Sequence, residues 1–152
     1  MKSFITVLKR ELTLTRLVTT LISSTLMALV MSLVILRGYQ ISFDQAIAKF
    51  MYSGLIILNS LIYTILLTSQ RHDQLLNNST YRINYLTIGI SFRALYWGQK
   101  ISTLILAILS LFSTALVFYT TSQLSFNIIY CLYFFLFLIV SQMMIIAVVT
   151  LI

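Results

Sequence analysis

The sequence predicts an all-α integral membrane protein: an N-terminal interfacial amphipathic helix followed by about four transmembrane helices. Three observations predict it. Apolar residues make up 60% of the 152 and charged residues only 9%, whereas a soluble domain carries about a quarter charged. The apolar residues gather in runs near the ~20 residues an α-helix needs to cross the hydrocarbon core. The ten Lys and Arg residues lie at the ends of those runs, as the flanking bases of membrane helices do.

A chain this poor in charge cannot cover a globule with a soluble surface, so lipid must cover it. Four spans with short connections use nearly the whole length. No room remains for a folded domain outside the membrane, and any hydrolytic chemistry would come from a partner chain. The net charge of +7 is spread over span ends rather than gathered in one patch, which argues against a nucleic-acid partner.

Residues 1–16 form the interfacial segment. At about 100° per residue, Phe4, Ile5, Leu8 and Leu12 share one side, and Lys2, Lys9 and Arg16 line a flank of it. Thr6 and Thr13 lie between that flank and Arg10. Such a helix rests in the headgroup plane with its bases toward anionic lipid. Glu11 projects near the apolar arc and breaks the pattern. Two readings stay open: it snorkels or pairs with a neighbouring base, or it contacts another helix of the same protein.

Residues 17–69 hold the first two spans and a short outer connection. The first span covers about Leu17 to Leu36, uncharged between Arg16 and Arg37. It is longer than the apolar core of a signal peptide, and bulky Ile35 and Leu36 stand where a cleavage site would need small residues. Arg37 to Lys49 is a short polar connection. The second span, about Phe50 to Ser69, carries one amide, Asn59, which in lipid wants a partner on another helix.

Residues 70–100 are the longest stretch without a clear span, containing Arg71, His72, Asp73, Asn77, Asn78, Arg82, Arg93 and Lys100. Leu75, Leu76, Ile83, Leu86, Ile90 and Leu95 recur at helical intervals. Two short helices broken near Asn77-Asn78 and Gly89 fit the pattern. Residues 101–152 supply the third span, about Ile101 to Tyr119, a tight turn over 120–125, and the fourth span from Phe126. Tyr130, Tyr133, Phe134 and Phe135 near its start suit the water–lipid interface. No proline occurs, so no span has a proline kink. The sequence stops at Leu151-Ile152 in an apolar run without a basic tail, so the expectation is either truncation, the favoured reading, or a fourth span that ends flush with the interface.

Counting bases sets the orientation. With the N-terminus in the cytoplasm, Lys2, Lys9, Arg10, Arg16, Arg71, Arg82, Arg93 and Lys100 lie inside and only Arg37 and Lys49 outside. The excess of inside bases predicts a cytoplasmic N-terminus, and the expected location is the plasma membrane, crossed several times.

Chemistry is sparse. Gly98-Gln99-Lys100-Ile101 cannot form a Walker-type loop, because Gln99 separates the glycine from the lysine and Ile101 replaces Ser or Thr. His72 is the only histidine and reads as a solvated loop residue. Cys131 stands alone in an apolar run, which excludes an internal disulfide and gives no support for a metal. Asn78-Ser79-Thr80 matches a glycosylation sequon, but on the side of the membrane where that modification does not occur. No catalytic set, metal site or cofactor site is readable. The spans carry no Asp, Glu, Lys, Arg or His at mid-depth, which counts against an ion-driven transporter.

Two segments carry a resemblance. Lys9-Arg10-Glu11-Leu12 followed by Arg16 is like the basic-acidic segment before the first span of ABC-2 type exporter permeases. Leu86-Thr87-Ile88-Gly89-Ile90-Ser91, then Gly98-Gln99-Lys100-Ile101, resembles the "L-x-x-P-I-S … G-K" segment of their cytoplasmic loop. Gly89 stands where the family usually has proline, Gln99 splits the Gly-Lys pair, and the family commonly has more spans than are visible here. The resemblance implies a permease subunit of an ATP-driven exporter, paired with a second permease copy or a homologous permease and served by a cytoplasmic ABC ATPase. It implies that residues 73–93 carry the coupling helix. Leu75, Leu76, Leu86 and Ile90 would fill a pocket on the ATPase, and Arg82 and Arg93 would fix orientation, with Asp73 and Ser91 in the same segment. The alternative is a small non-transporting membrane protein, such as a bacteriocin-immunity or accessory subunit.

Overall fold

The computed structural model describes residues 2–38, 45–122 and 128–149. Every element among them is a helix: α1 (Lys2–Glu11), α2 (Leu14–Gly38), α3 (Gln45–Leu76), α4 (Ser79–Leu86), α5 (Phe92–Ser122) and α6 (Ile128–Val149). The all-α membrane class that composition implies is the class observed. Residues 39–44 of the outer connection, most of the turn after α5 and the chain end Leu151-Ile152 lie outside the described residues, as do the side chains of Arg37, Lys49, Tyr130 and Cys131.

Three helices are long and apolar enough to cross a membrane, over Leu14–Leu33, Phe50–Leu76 and Phe92–Thr120, and Leu132–Val148 of α6 is a shorter apolar helix. Half of the α5 span is buried inside the protein, against 17% in α2 and α3, so α5 is the central helix. It packs against α1, α2, α3 and α6. Its buried stripe contains Ser102, Ala107, Ser110, Thr114 and Phe118, largely small residues that let helices approach closely.

Burying so many hydroxyls is tolerable because most of them donate to a carbonyl on their own helix. Thr64 donates to Ser60 O at 2.8 Å, Ser110 to Ala107 O at 2.8 Å and Thr114 to Ser110 O at 2.8 Å. Bonds between helices then fix their rotation. Asn59 of α3 donates to Thr114 Oγ1 of α5 at 3.0 Å, the partner the sequence said it needs. Gln142 of α6 donates to Ser60 Oγ at 2.8 Å and to Ala107 O at 3.2 Å. Ser24 of α2 meets Ser113 of α5 at 2.5 Å. Bulky apolar side chains such as Ile22, Leu26, Leu66, Phe112, Phe137 and Met144 remain exposed, as lipid contact requires.

The structure corrects two boundaries. The interfacial helix ends at Glu11 rather than at residue 16, and Arg16 belongs to the first turn of α2. Thr13 lies between the two helices, its hydroxyl accepting from Arg16 N–H at 3.4 Å. Residues 70–100 are mostly not a loop: α3 continues through Leu76 and α5 begins at Phe92. The breaks fall at Asn77-Asn78 and around Gly89, the two positions marked in the sequence, but only one short helix, α4, lies between them. His72 is accordingly a helix residue rather than a loop residue.

Local chemistry explains those breaks. Asn78 N-caps α4, its side chain accepting from Tyr81 N–H at 2.9 Å, which satisfies a donor left open at a helix start. At the other end Ile90 N–H donates to Tyr85 O and Gly89 N–H to Leu86 O. This is a Schellman closure, with Gly89 at φ +75°, a region where a side chain is strained. Ser91 then opens α5, accepting from Ala94 N–H at 3.3 Å.

Candidate functional site

The site forms where α1, α4, the first turn of α2, the last turns of α3 and the start of α5 meet. The buried stripe of α1 includes Val7 and Glu11, fully or almost fully buried and one helical turn apart. Val7 sits in an apolar cluster with Leu75, Tyr85, Ile90 and Leu95. Gly98 of α5 faces it: a Cβ there would come within 2.5 Å of Val7 Cγ1. Only the absent side chain lets α1 lie this close to α5.

One turn further, Glu11 occupies the same buried side as a carboxylate, 1% exposed. Its Oε2 pairs with both Arg16 of α2 and Arg71 of α3. Its Oε1 accepts from Tyr81 and Tyr85 of α4, each at 2.6 Å. One carboxylate thus holds four helices together. Tyr81 and Tyr85 are a turn apart and meet edge to face, with centroids 5.2 Å apart. Gln99 of α5 donates to Arg71 O at 2.7 Å, which adds the fifth helix.

The electrostatics are consistent with a carboxylate rather than a carboxylic acid. Burial opposes ionisation of Glu11, but hydrogen bonds from Tyr81 and Tyr85 and the charges of Arg71 and Arg16 outweigh it and lower its pKa. The phenols move the other way. Burial and the bond to Glu11 push Tyr85 up to about 12, and the same causes raise Tyr81 further. Arg10 lies over the Tyr85 ring at 5.2 Å, a cation–π contact on the outer side of the cluster.

The sequence-proposed coupling residues divide into two sets. Leu75 and Ile90 are buried, 1% and 4% exposed, and belong to the apolar cluster beneath α4. They are corrected from outward contacts to core, because the helix closure at Gly89 turns Ile90 back under Tyr85. Leu76 and Leu86 are each 47% exposed and joined outside by Ile83 and Ile88. Arg82 is half-buried, Arg93 and Ser91 are exposed, and Asp73 accepts from Asn77 Nδ2 at 2.5 Å. Of the two readings of Glu11, contact with other helices is the one observed, and the Arg16 pair accompanies it.

Tyr81, Tyr85 and Gln142 were not singled out from sequence. The four-residue spacing of Val7 with Glu11 and of Tyr81 with Tyr85 is the signal the two tyrosines left, and Gln142 left none. No group of three or more potential metal ligands occurs among the described residues.

The fold and this cluster define a helical membrane protein with a charged, tyrosine-lined joint at its basic end. The chain matches no protein-family model, no curated protein and no solved structure.

Proposed function

We propose that this chain is a membrane-spanning permease subunit of an ATP-driven exporter of the ABC-2 type, with α4 as the helix that docks a separate cytoplasmic ATPase. One observation carries the reading. The inner side of α4 is tied through Tyr81 and Tyr85 to Glu11, which also holds Arg16 and Arg71 at the roots of two spans. Its outer side offers Ile83 and Leu86 to solvent. A force applied to that outer side would reach α2 and α3 through a single carboxylate. That is the mechanical requirement of a coupling element. ATP hydrolysis belongs to the partner, and the moving parts belong to this chain and a second permease copy.

The docking surface is Ile83 and Leu86, flanked by Arg82 and Arg93. Photo-crosslinkers at Ile83 and Leu86, in membranes also containing the ATPase, should capture it, whereas one at lipid-facing Leu26 should not. The double variant Ile83→Asp, Leu86→Asp should insert normally and lose the ATPase. Normal ATPase binding by that variant would remove α4 from the interface. Absence of any ATPase adduct at either position would favour the non-transporting class.

A further inference from the structure

A shallow, largely open cleft of about 430 Å³ lies between α1 and the turn joining α4 to α5, lined by Thr6, Lys9, Arg10, Thr13 and Ile88. Among the described residues no acidic side chain lines it. Both ion pairs among the described residues belong to Glu11, which faces the other way into the protein and is already matched by two arginines. Lys9 and Arg10 are exposed and their charge is not cancelled within the cleft. Arg10 is steadied by the Tyr85 ring beneath it. The Thr13 hydroxyl accepts from Arg16 N–H, which leaves its own proton to donate outward.

The depth of the cleft follows from the spans. The α2 span begins at Leu14 and the α5 span at Phe92, so Thr13 stands one residue, and Ile88 four, outside an apolar run. Phosphates of a bilayer lie just beyond the hydrocarbon boundary. Two bases with the adjacent Thr13 hydroxyl match a phosphate, and exposed Ile88 gives an apolar edge at the start of the acyl region.

We propose that this cleft seats the phosphate headgroup of an anionic phospholipid, gripped by Lys9 and Arg10 and closed on one side by Ile88. The assignment is independent of whether α4 docks an ATPase, since it uses the α1 side of the turn and requires no partner protein.

The test uses the full chain in detergent, with retention of phosphatidylglycerol and phosphatidylcholine read by native mass spectrometry. The chain should retain phosphatidylglycerol preferentially. Lys9→Gln with Arg10→Gln should weaken that retention by about tenfold or more, the scale of two bases at an anionic surface. Arg82→Gln with Arg93→Gln removes equal charge elsewhere and should change it far less. Ile88→Glu, which leaves both bases in place, should reproduce the loss. Equal loss in both charge-removal variants would reduce the effect to diffuse attraction and overturn the seat, as would equal retention of the two lipids. Displacement by millimolar inorganic phosphate would assign the cleft to a free anion and overturn the lipid.

Discussion

Glu11 is worth more to this protein as a charge than as a packing residue. Removing one partner of a buried ion pair strands the other, which costs about 3–5 kcal/mol. Glu11→Gln keeps the shape but leaves Arg71 without a counter-charge, so unfolding in detergent should occur with a loss on that scale. The pH dependence has a definite sign. Because the Glu11 pKa is lowered from 4.5, its contribution is complete above about that pH and is lost as pH falls through the lowered value. The phenols act at the opposite limit. Tyr85, raised to about 12, contributes fully below pH 10 and loses its contribution as pH climbs through about 12. Melting temperature should therefore decline at both ends in the wild type, and Glu11→Gln should flatten the acid limb. Unchanged acid sensitivity in the variant would show that another group governs it. Gly98 makes a second residue-scale prediction. Gly98→Ala drives a methyl into Val7 and should cost about 1–3 kcal/mol. The double variant with Val7→Ala should lose less than the two single losses summed.

At the scale of elements, α4 has two unlike sides. Ile90 and Leu75 fill the cluster beneath it, so Ile90→Ala should destabilise the isolated chain by about 2–5 kcal/mol. Leu86→Ala removes an exposed side chain and should stay within about 0.5 kcal/mol. Unfolding measured on the two variants checks the division directly. Comparable losses would mean that α4 presents a different face from the one described. The same logic limits which variants can test docking: Ile83 and Leu86 can be altered without emptying the core, whereas Ile90 cannot. Sequence periodicity placed all these apolar residues on a helix-like segment but could not tell which faced inward. That depends on the reversal at Gly89, which brings Ile90 back under Tyr85.

For the whole molecule, the two basic segments that sequence separates by two spans meet at one end of the bundle, through the bonds from Tyr81 and Tyr85 to Glu11. They must face the same side of the membrane, as the count of bases requires. Cysteine at exposed Asn78 should be protected from an impermeant external thiol reagent in intact cells, whereas cysteine at Thr120, near the other end of α5, should react. The reverse pattern would invert the orientation without altering the fold. Composition and periodicity alone determined the helical membrane class and the need of Asn59 for a partner, because water and lipid act on every residue according to its own chemistry. Only the tertiary structure decided that Glu11 joins α1 to Arg16, Arg71, Tyr81 and Tyr85, and that α5 is central. A buried charge is stabilised by groups that chain folding brings within bonding distance, and the four partners of Glu11 come from three other helices, up to 74 positions away in sequence.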